Sequence, residues 1–142
     1  MSKIILSINA GASSVKVSVY KATDDKAQDP SQLAEVQIDG LTAPPPTLKY
    51  ERGDEKIKGK EVEGIKTQED AFRYILDHLT SDEKLPELSK REDIGFACHR
   101  VVHGGDYPRA QLIDVDTYHH IEKLSDLAPL YVSCLRLSVF EP

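Results

Sequence analysis

The feature that most narrows what this chain can fold into lies near its start. Val15, Val17 and Val19 alternate with Lys16, Ser18 and Tyr20. A period of two places the valines on one face of a strand and the polar residues on the other, which no helix does. Just before this segment, Asn9-Ala10-Gly11-Ala12-Ser13 is a turn built from small residues, and Lys3 to Ser7 is a short, β-rich, mostly apolar run. Two strands joined by a small-residue turn predict an antiparallel hairpin. Leu33 to Asp39 alternates again through Val36 and Ile38, as a third strand would. The polar stretch between, Lys21 to Ser31, reads as a solvated loop.

Further along, Pro44-Pro45-Pro46 interrupts the pattern as a connection or a sheet edge. Thr47 to Glu51 and Lys56 to Lys60 flank Gly53-Asp54, which predicts a second hairpin with an exposed turn. That turn contains the tripeptide Arg52-Gly53-Asp54, familiar from cell adhesion but read here as an ordinary exposed turn. The clearest helix begins at Thr67, where Asp70 three residues on completes a capping box. Ala71, Phe72, Ile75, Leu76 and Leu79 then share one helical face, and Pro86 lies beyond its end. Asp93 to His103 is strand-like, with Ile94, Phe96 and Cys98 spaced by two, and Gly104-Gly105 ends it. Asp116 to Leu127 has room for a short helix. Strands, a helix and another strand predict an α/β domain, a mixed sheet with helices covering it.

The 142 residues fit one domain, and 39% hydrophobic with 30% charged residues describes a globular chain. A net charge of −6 argues against nucleic acid as a partner while leaving room for a local basic pocket. Cys98 and Cys134 form neither a disulfide framework nor a zinc spacing, and Cys98, in an apolar run, reads as a small buried residue. The apolar run at Ile4-Ile5-Leu6 is too short for a signal peptide or a membrane span. The expectation is a cytoplasmic protein without a membrane partner.

Two motifs carry chemistry. In Asn9 to Ser14, glycine and alanine allow close approach to the backbone, and successive amides can form a concave anion site. Ser13 and Ser14 add hydroxyl donors, Lys16 adds a positive charge, and Asn9 can orient a phosphate or a metal-bound water. A plain hairpin turn uses the same residues, and spacing alone leaves both readings open. It is not a Walker A loop, since no Gly-Lys-Ser/Thr follows at the required spacing.

The second motif is His99-Arg100-Val101-Val102-His103-Gly104-Gly105. Arg100 falls in the carboxyl-terminal part of an apolar strand, where a buried guanidinium demands a carboxylate or phosphate partner. A structural ion pair satisfies that demand equally well. The double glycine makes room for a ligand, and Val102 on the same face suits a small carboxylate with an alkyl tail. His99 and His103 share the other face, but no acidic or cysteine ligand sits at matching spacing for a metal. The adjacent His119-His120 read as solvated.

Together these motifs resemble the acetate kinase family, part of the superfamily that also holds sugar kinases, actin and heat-shock ATPases. The family's opening Asn-Ala-Gly-Ser-Ser-Ser-x-Lys is matched by Asn9 to Lys16, and its His-Arg-Val-Val-His-Gly-Gly is matched in full by His99 to Gly105. Its Ala-Pro-Leu-His-Asn-Pro is matched only through Ala128-Pro129-Leu130. The resemblance implies a ribonuclease H-like, actin-like ATPase domain with a five-stranded type of sheet. It implies Asn9 near magnesium-bound phosphates, and Gly11, Ser14 and Lys16 along the phosphate path of ATP. It implies Arg100 on the carboxylate or the transferred phosphoryl group, and Val102 with Leu130 around the acetate methyl. The implied reaction converts ATP and acetate to ADP and acetyl phosphate, reversibly, with Mg2+. Full-length relatives are expected to form homodimers.

Two departures matter. Ala12 stands where the family has a serine, so one hydroxyl is lost while the amide remains. After Leu130, Tyr131-Val132-Ser133 replaces His-Asn-Pro. The motif likeness therefore divides the chain into a partial kinase-type domain, 1–130, and a divergent tail, 131–142. The catalytic aspartate, second arginine and magnesium-ligating glutamate that the resemblance implies find no counterpart here. The expectation is a truncated acetate kinase, inactive alone. The alternative is a non-catalytic phosphate- or carboxylate-binding remnant, or a partner of a complete subunit.

Overall fold

A computed structural model describes residues 2–25, 29–100 and 108–122. Six strands form one sheet: β1 (Ser2–Ala10), β2 (Ser14–Thr23), β3 (Ser31–Asp39), β4 (Thr47–Arg52), β5 (Glu55–Glu61) and β6 (Ile94–His99), in the order β5-β4-β3-β2-β1-β6. The five N-terminal strands are antiparallel neighbours, and β6 joins β1 in parallel, which makes the sheet mixed. Both arms of the second hairpin join this sheet, so it has one strand more than the five-stranded type.

Alternation explains the burial. Leu6 and Ile8 on β1, the three valines of β2, and Val36 and Ile38 on β3 are all within 1% of complete burial. Helix α1 (Gln68–Thr80) covers this face, packing against β2 and β3. Its stripe of Ala71, Phe72, Ile75, Leu76 and Leu79 is buried as the spacing predicts. Each large apolar side chain of that stripe contributes roughly 1.5–3 kcal/mol by leaving water. The capping box is present: the Asp70 amide donates to Thr67 Oγ1 at 3.1 Å, and the Thr67 amide donates to Asp70 Oδ2 at 3.1 Å.

The first hairpin is longer than its apolar pattern. Ser2 pairs with Thr23, so Lys21 to Thr23 belong to β2 rather than to a loop. β3 leaves the sheet through Gly40, at φ +84°, where an added Cβ would meet the Pro45 carbonyl oxygen at 3.0 Å. The Pro44–Pro46 segment bends between β3 and β4. A short helix, α2 (Val115–Glu122), begins after Asp114, whose Oδ1 accepts from the Thr117 amide at 2.8 Å. Residues 123–127, which the sequence also suggests as helix, lie outside the described residues.

At the other end of the sheet, Tyr50 and Arg52 on β4 converge on Asp82, just past α1. The Tyr50 hydroxyl donates to Asp82 Oδ2 at 2.5 Å and Arg52 Nε donates to the same oxygen at 2.8 Å. Arg52 also pairs with Glu55. The Arg52-Gly53-Asp54 turn is thus held by its arginine, as a structural element.

Two expectations are corrected at β6. Cys98 is exposed, not buried, because β6 is an edge strand whose one partner among the described residues is β1, while α1 packs on β2 and β3, so that Ala97 and Cys98, on alternate faces, are both exposed. Arg100 is not inside a buried strand. It follows the end of β6 and is exposed, so desolvation does not force a partner on it.

Candidate functional site

The parallel pairing of β1 and β6 brings both motifs to one end of the sheet. Ile8 is level with His99, and the Arg100 amide donates to the Ile8 carbonyl at 3.0 Å. Arg100 therefore stands beside the end of β1, where the chain enters the Gly11–Ser13 turn. Ligands of open α/β sheets commonly sit at such carboxyl ends of strands. Within the described residues the Arg100 guanidinium makes no ion pair.

Asn9 belongs to β1 rather than to the turn, and its Cα partner on β2 is Lys16. Cross-strand partners project to the same face, so Asn9 and Lys16 share the side of the sheet opposite α1. Lys16 Nζ lies 2.8 Å from Glu35 Oε1 on β3, and its side chain remains 41% exposed. Glu35 Oε2 accepts from Ser18 Oγ at 3.1 Å and from Gln32 Nε2 at 3.2 Å. Burial pushes the Glu35 carboxyl up, but the hydrogen bonds from Lys16 and Ser18 and the lysine charge outweigh it and hold the group below the usual carboxylate range.

The turn itself is closed by the Gly11 amide donating to the Ser14 carbonyl at 2.7 Å. Gln68, the first residue of α1, donates from Nε2 to the Gly11 carbonyl at 3.2 Å and to the Ala12 carbonyl at 2.9 Å. Ala12 and Ser13 are exposed and Ser14 is half-buried. Sequence reasoning missed both Glu35 and Gln68. The alternation of β3 puts Glu35 and Gln37 on one face, a usable signal for the first. Nothing local announces Gln68, which lies 57 positions from Gly11.

His99 is half-buried, with Nδ1 2.7 Å from the Arg100 carbonyl. A carbonyl only accepts, so the proton of the neutral ring sits on Nδ1. Burial lowers the pKa of this ring, against the opposing hydrogen bond to Arg100. Val102, His103, the double glycine and Leu130 lie outside the described residues. Among the described residues no group of three or more His, Cys, Asp or Glu side chains could hold a metal ion. Also among the described residues, no helix is long and apolar enough to cross a membrane.

The fold and this end of the sheet define an actin-like α/β domain whose candidate site lies where two parallel strands finish. Comparison with known proteins makes the assignment particular. The model of the acetokinase family matches residues 4–137, and the chain belongs to the acetate kinase family. A Neurospora crassa protein named "Probable acetate kinase" is 55% identical over 136 residues, which cover 94% of this chain and 29% of that protein. The structure of a propionate kinase from Francisella tularensis superposes with a TM-score of 0.70 at 27% identity, over 94% of this chain and 33% of the other. That of Porphyromonas gingivalis acetate kinase gives a TM-score of 0.74 at 23% identity, over 96% and 34%. The chain spans 28–30% of the length of the Neurospora crassa protein and of two further curated relatives, also named "Probable acetate kinase". The family match runs past Leu130, where the motif likeness stops.

Proposed function

We propose that this domain supplies the phosphate- and carboxylate-gripping part of an acetate kinase site. The reading rests on family membership together with one observation: the turn and Arg100 meet at the same end of the sheet. In the complete reaction an acetate oxygen attacks the γ-phosphorus of ATP in line. The bond from that phosphorus to the β–γ bridging oxygen breaks, and ADP leaves with the electron pair, giving acetyl phosphate. Such transfers depend on positioning and on neutralising charge spread over the phosphoryl oxygens. Gly11, Ser14 and Lys16 would line the phosphate path. Arg100 would hold the acetate carboxylate or the phosphoryl group with its planar fork. Val102 and Leu130 would flank the methyl group. Mg2+ would neutralise phosphate charge when bound, with Asn9 contacting it or its water. Residues 1–130 would form the kinase-type unit and 131–142 a divergent tail, in a protein expected to be cytoplasmic and, at full length, homodimeric.

The 142 residues taken alone are expected to bind without turning over, because they carry no counterpart of the catalytic aspartate, the second arginine or the magnesium-ligating glutamate. The test has two arms on the purified chain. Acetyl phosphate formation from ATP and acetate should stay at background, and a clear rate would overturn the inactive-alone reading. Acetyl phosphate should bind saturably, and Arg100→Ala should weaken that binding about tenfold, the scale of one charge-assisted hydrogen bond. Equal affinity for both proteins removes Arg100 from the site.

A further inference from the structure

Three successive carbonyls of the β1–β2 turn are held by donors from within the protein. Gln68 Nε2 donates to Gly11 O at 3.2 Å and to Ala12 O at 2.9 Å, and the Leu41 amide donates to Ser13 O at 3.0 Å. In a trans peptide the C=O and the N–H of one unit point to opposite sides. Fixing these carbonyls therefore turns the amides of Ala12, Ser13 and Ser14 away from Gln68 and Leu41. Among the described residues, the amides of Ala12 and Ser13 donate to no protein acceptor, and both residues are exposed. Consecutive amides facing one way form the kind of concavity that takes an anion.

We propose that Gln68 is a positioning residue: its side-chain amide locks the two peptide planes that present the Ala12 and Ser13 N–H groups to an oligophosphate. The inference rests on reading this turn as the phosphate site. It also accounts for alanine at position 12, since the donor assigned there is the backbone amide rather than a hydroxyl. Gln68 is suited to the task because it opens α1. The capping box at Thr67 and Asp70 fixes the helix start, and the buried stripe fixes the helix on the sheet. One side chain thus ties the orientation of the turn to the core.

The test follows backbone amide resonances of the 15N-labelled chain during titration with Mg·ATP. In the unsubstituted protein the Ala12 and Ser13 amides should move saturably. Gln68→Met keeps the length of the side chain but removes both donors. It should weaken the apparent affinity about tenfold, the scale of two net hydrogen bonds, and shrink the displacement of those two amides. Ile75→Val, which trims a buried side chain of the same helix, should bind like the unsubstituted protein, separating orientation of the turn from general loss of stability. If Gln68→Met does not fold, Gln68→Asn serves instead, since its amide is one methylene too short to reach both carbonyls and should show the same loss. If a folded Gln68 variant binds as tightly, with the same amide pattern, the role of Gln68 is overturned while the phosphate site stands. If the Ala12 and Ser13 amides stay still in the unsubstituted protein, the phosphate reading of the turn falls, and this inference with it.

Discussion

Val15, Val17 and Val19 on β2 share their spacing by two with Ile94, Phe96 and Cys98 on β6, yet the two strands end in different surroundings. The valines are fully buried, whereas Phe96 is 51% exposed and Cys98 is exposed. β2 has a strand on each side and α1 across its face, while β6 pairs only with β1 among the described residues. Alternation therefore determines that a segment is a strand and which residues share a face. Whether that face is buried depends on neighbours that the segment does not encode. The chemistry follows the same division: the packed region supplies rigidity, and the ends of β1 and β6 supply amides and an exposed guanidinium.

The contrast is most easily broken by truncating one side chain in each region. Leu79 is fully buried beneath the sheet, so Leu79→Ala should cost about 3 kcal/mol through lost transfer energy and a cavity. Phe96 keeps half its surface in water and meets Lys3 Nζ at 5.0 Å from its ring centroid. Phe96→Ala should cost less than about 1 kcal/mol, in line with an exposed cation–π contact. Urea unfolding of the two variants measures both. Equal losses would mean that β6 is packed as firmly as β2.

A smaller effect separates the far end of the sheet from the candidate site. Asp82 accepts from both Tyr50 and Arg52 and keeps only 15% of its side-chain surface exposed. Burial pushes its carboxyl up, but the hydrogen bonds from Tyr50, the Lys84 amide and Arg52 prevail and hold it below the usual range. Asp82→Ala leaves a phenol and a guanidinium without their shared acceptor and should cost about 2 kcal/mol. The Gln68 and Arg100 tests act at the opposite end of the sheet. Thermal melts paired with Mg·ATP titration check the separation: Asp82→Ala should lower the melting point and leave affinity unchanged. A matching loss of affinity would join the two ends into one unit.

How much of this was legible in the sequence follows the same line. The hairpins, the capping box and the apolar stripe of α1 are encoded within a few residues of each other, and the structure carries all three, with the first hairpin extended at both ends beyond its apolar pattern. The motif at His99 to Gly105 pointed to the family, but the buried setting assumed for Arg100 did not hold, because strand period carries no information about a missing neighbour. Lys16 was legible as a cation near the turn. Its pairing with Glu35 depends on the register of β2 against β3, which sets Ser18 opposite Glu35. Gln68 was illegible for the plainest reason: its contact with the turn exists only once α1 has docked.

Two histidines, one in each region, sharpen the comparison by the smallest effect. His78 on α1 packs edge-on against Tyr50, with ring centroids 4.6 Å apart, and burial, aided by the charge of Lys60 and opposed by that of Asp82, lowers its pKa. Burial likewise lowers the pKa of His99, the last residue of β6. A ring held neutral by the fold binds fewer protons in the folded than in the unfolded chain at mildly acidic pH. Its contribution is intact above the unfolded value of 6.5 and is lost as pH falls below that toward the folded value. The melting temperature should therefore begin to drop below about pH 6.5, before the carboxylates titrate. His78→Gln and His99→Gln should each flatten part of that drop. The ring-proton shifts of both histidines should titrate with midpoints below 6.5. A midpoint at or above 6.5 for His99 would mean that its ring is not covered, leaving β6 as open around His99 as it is at Phe96 and Cys98.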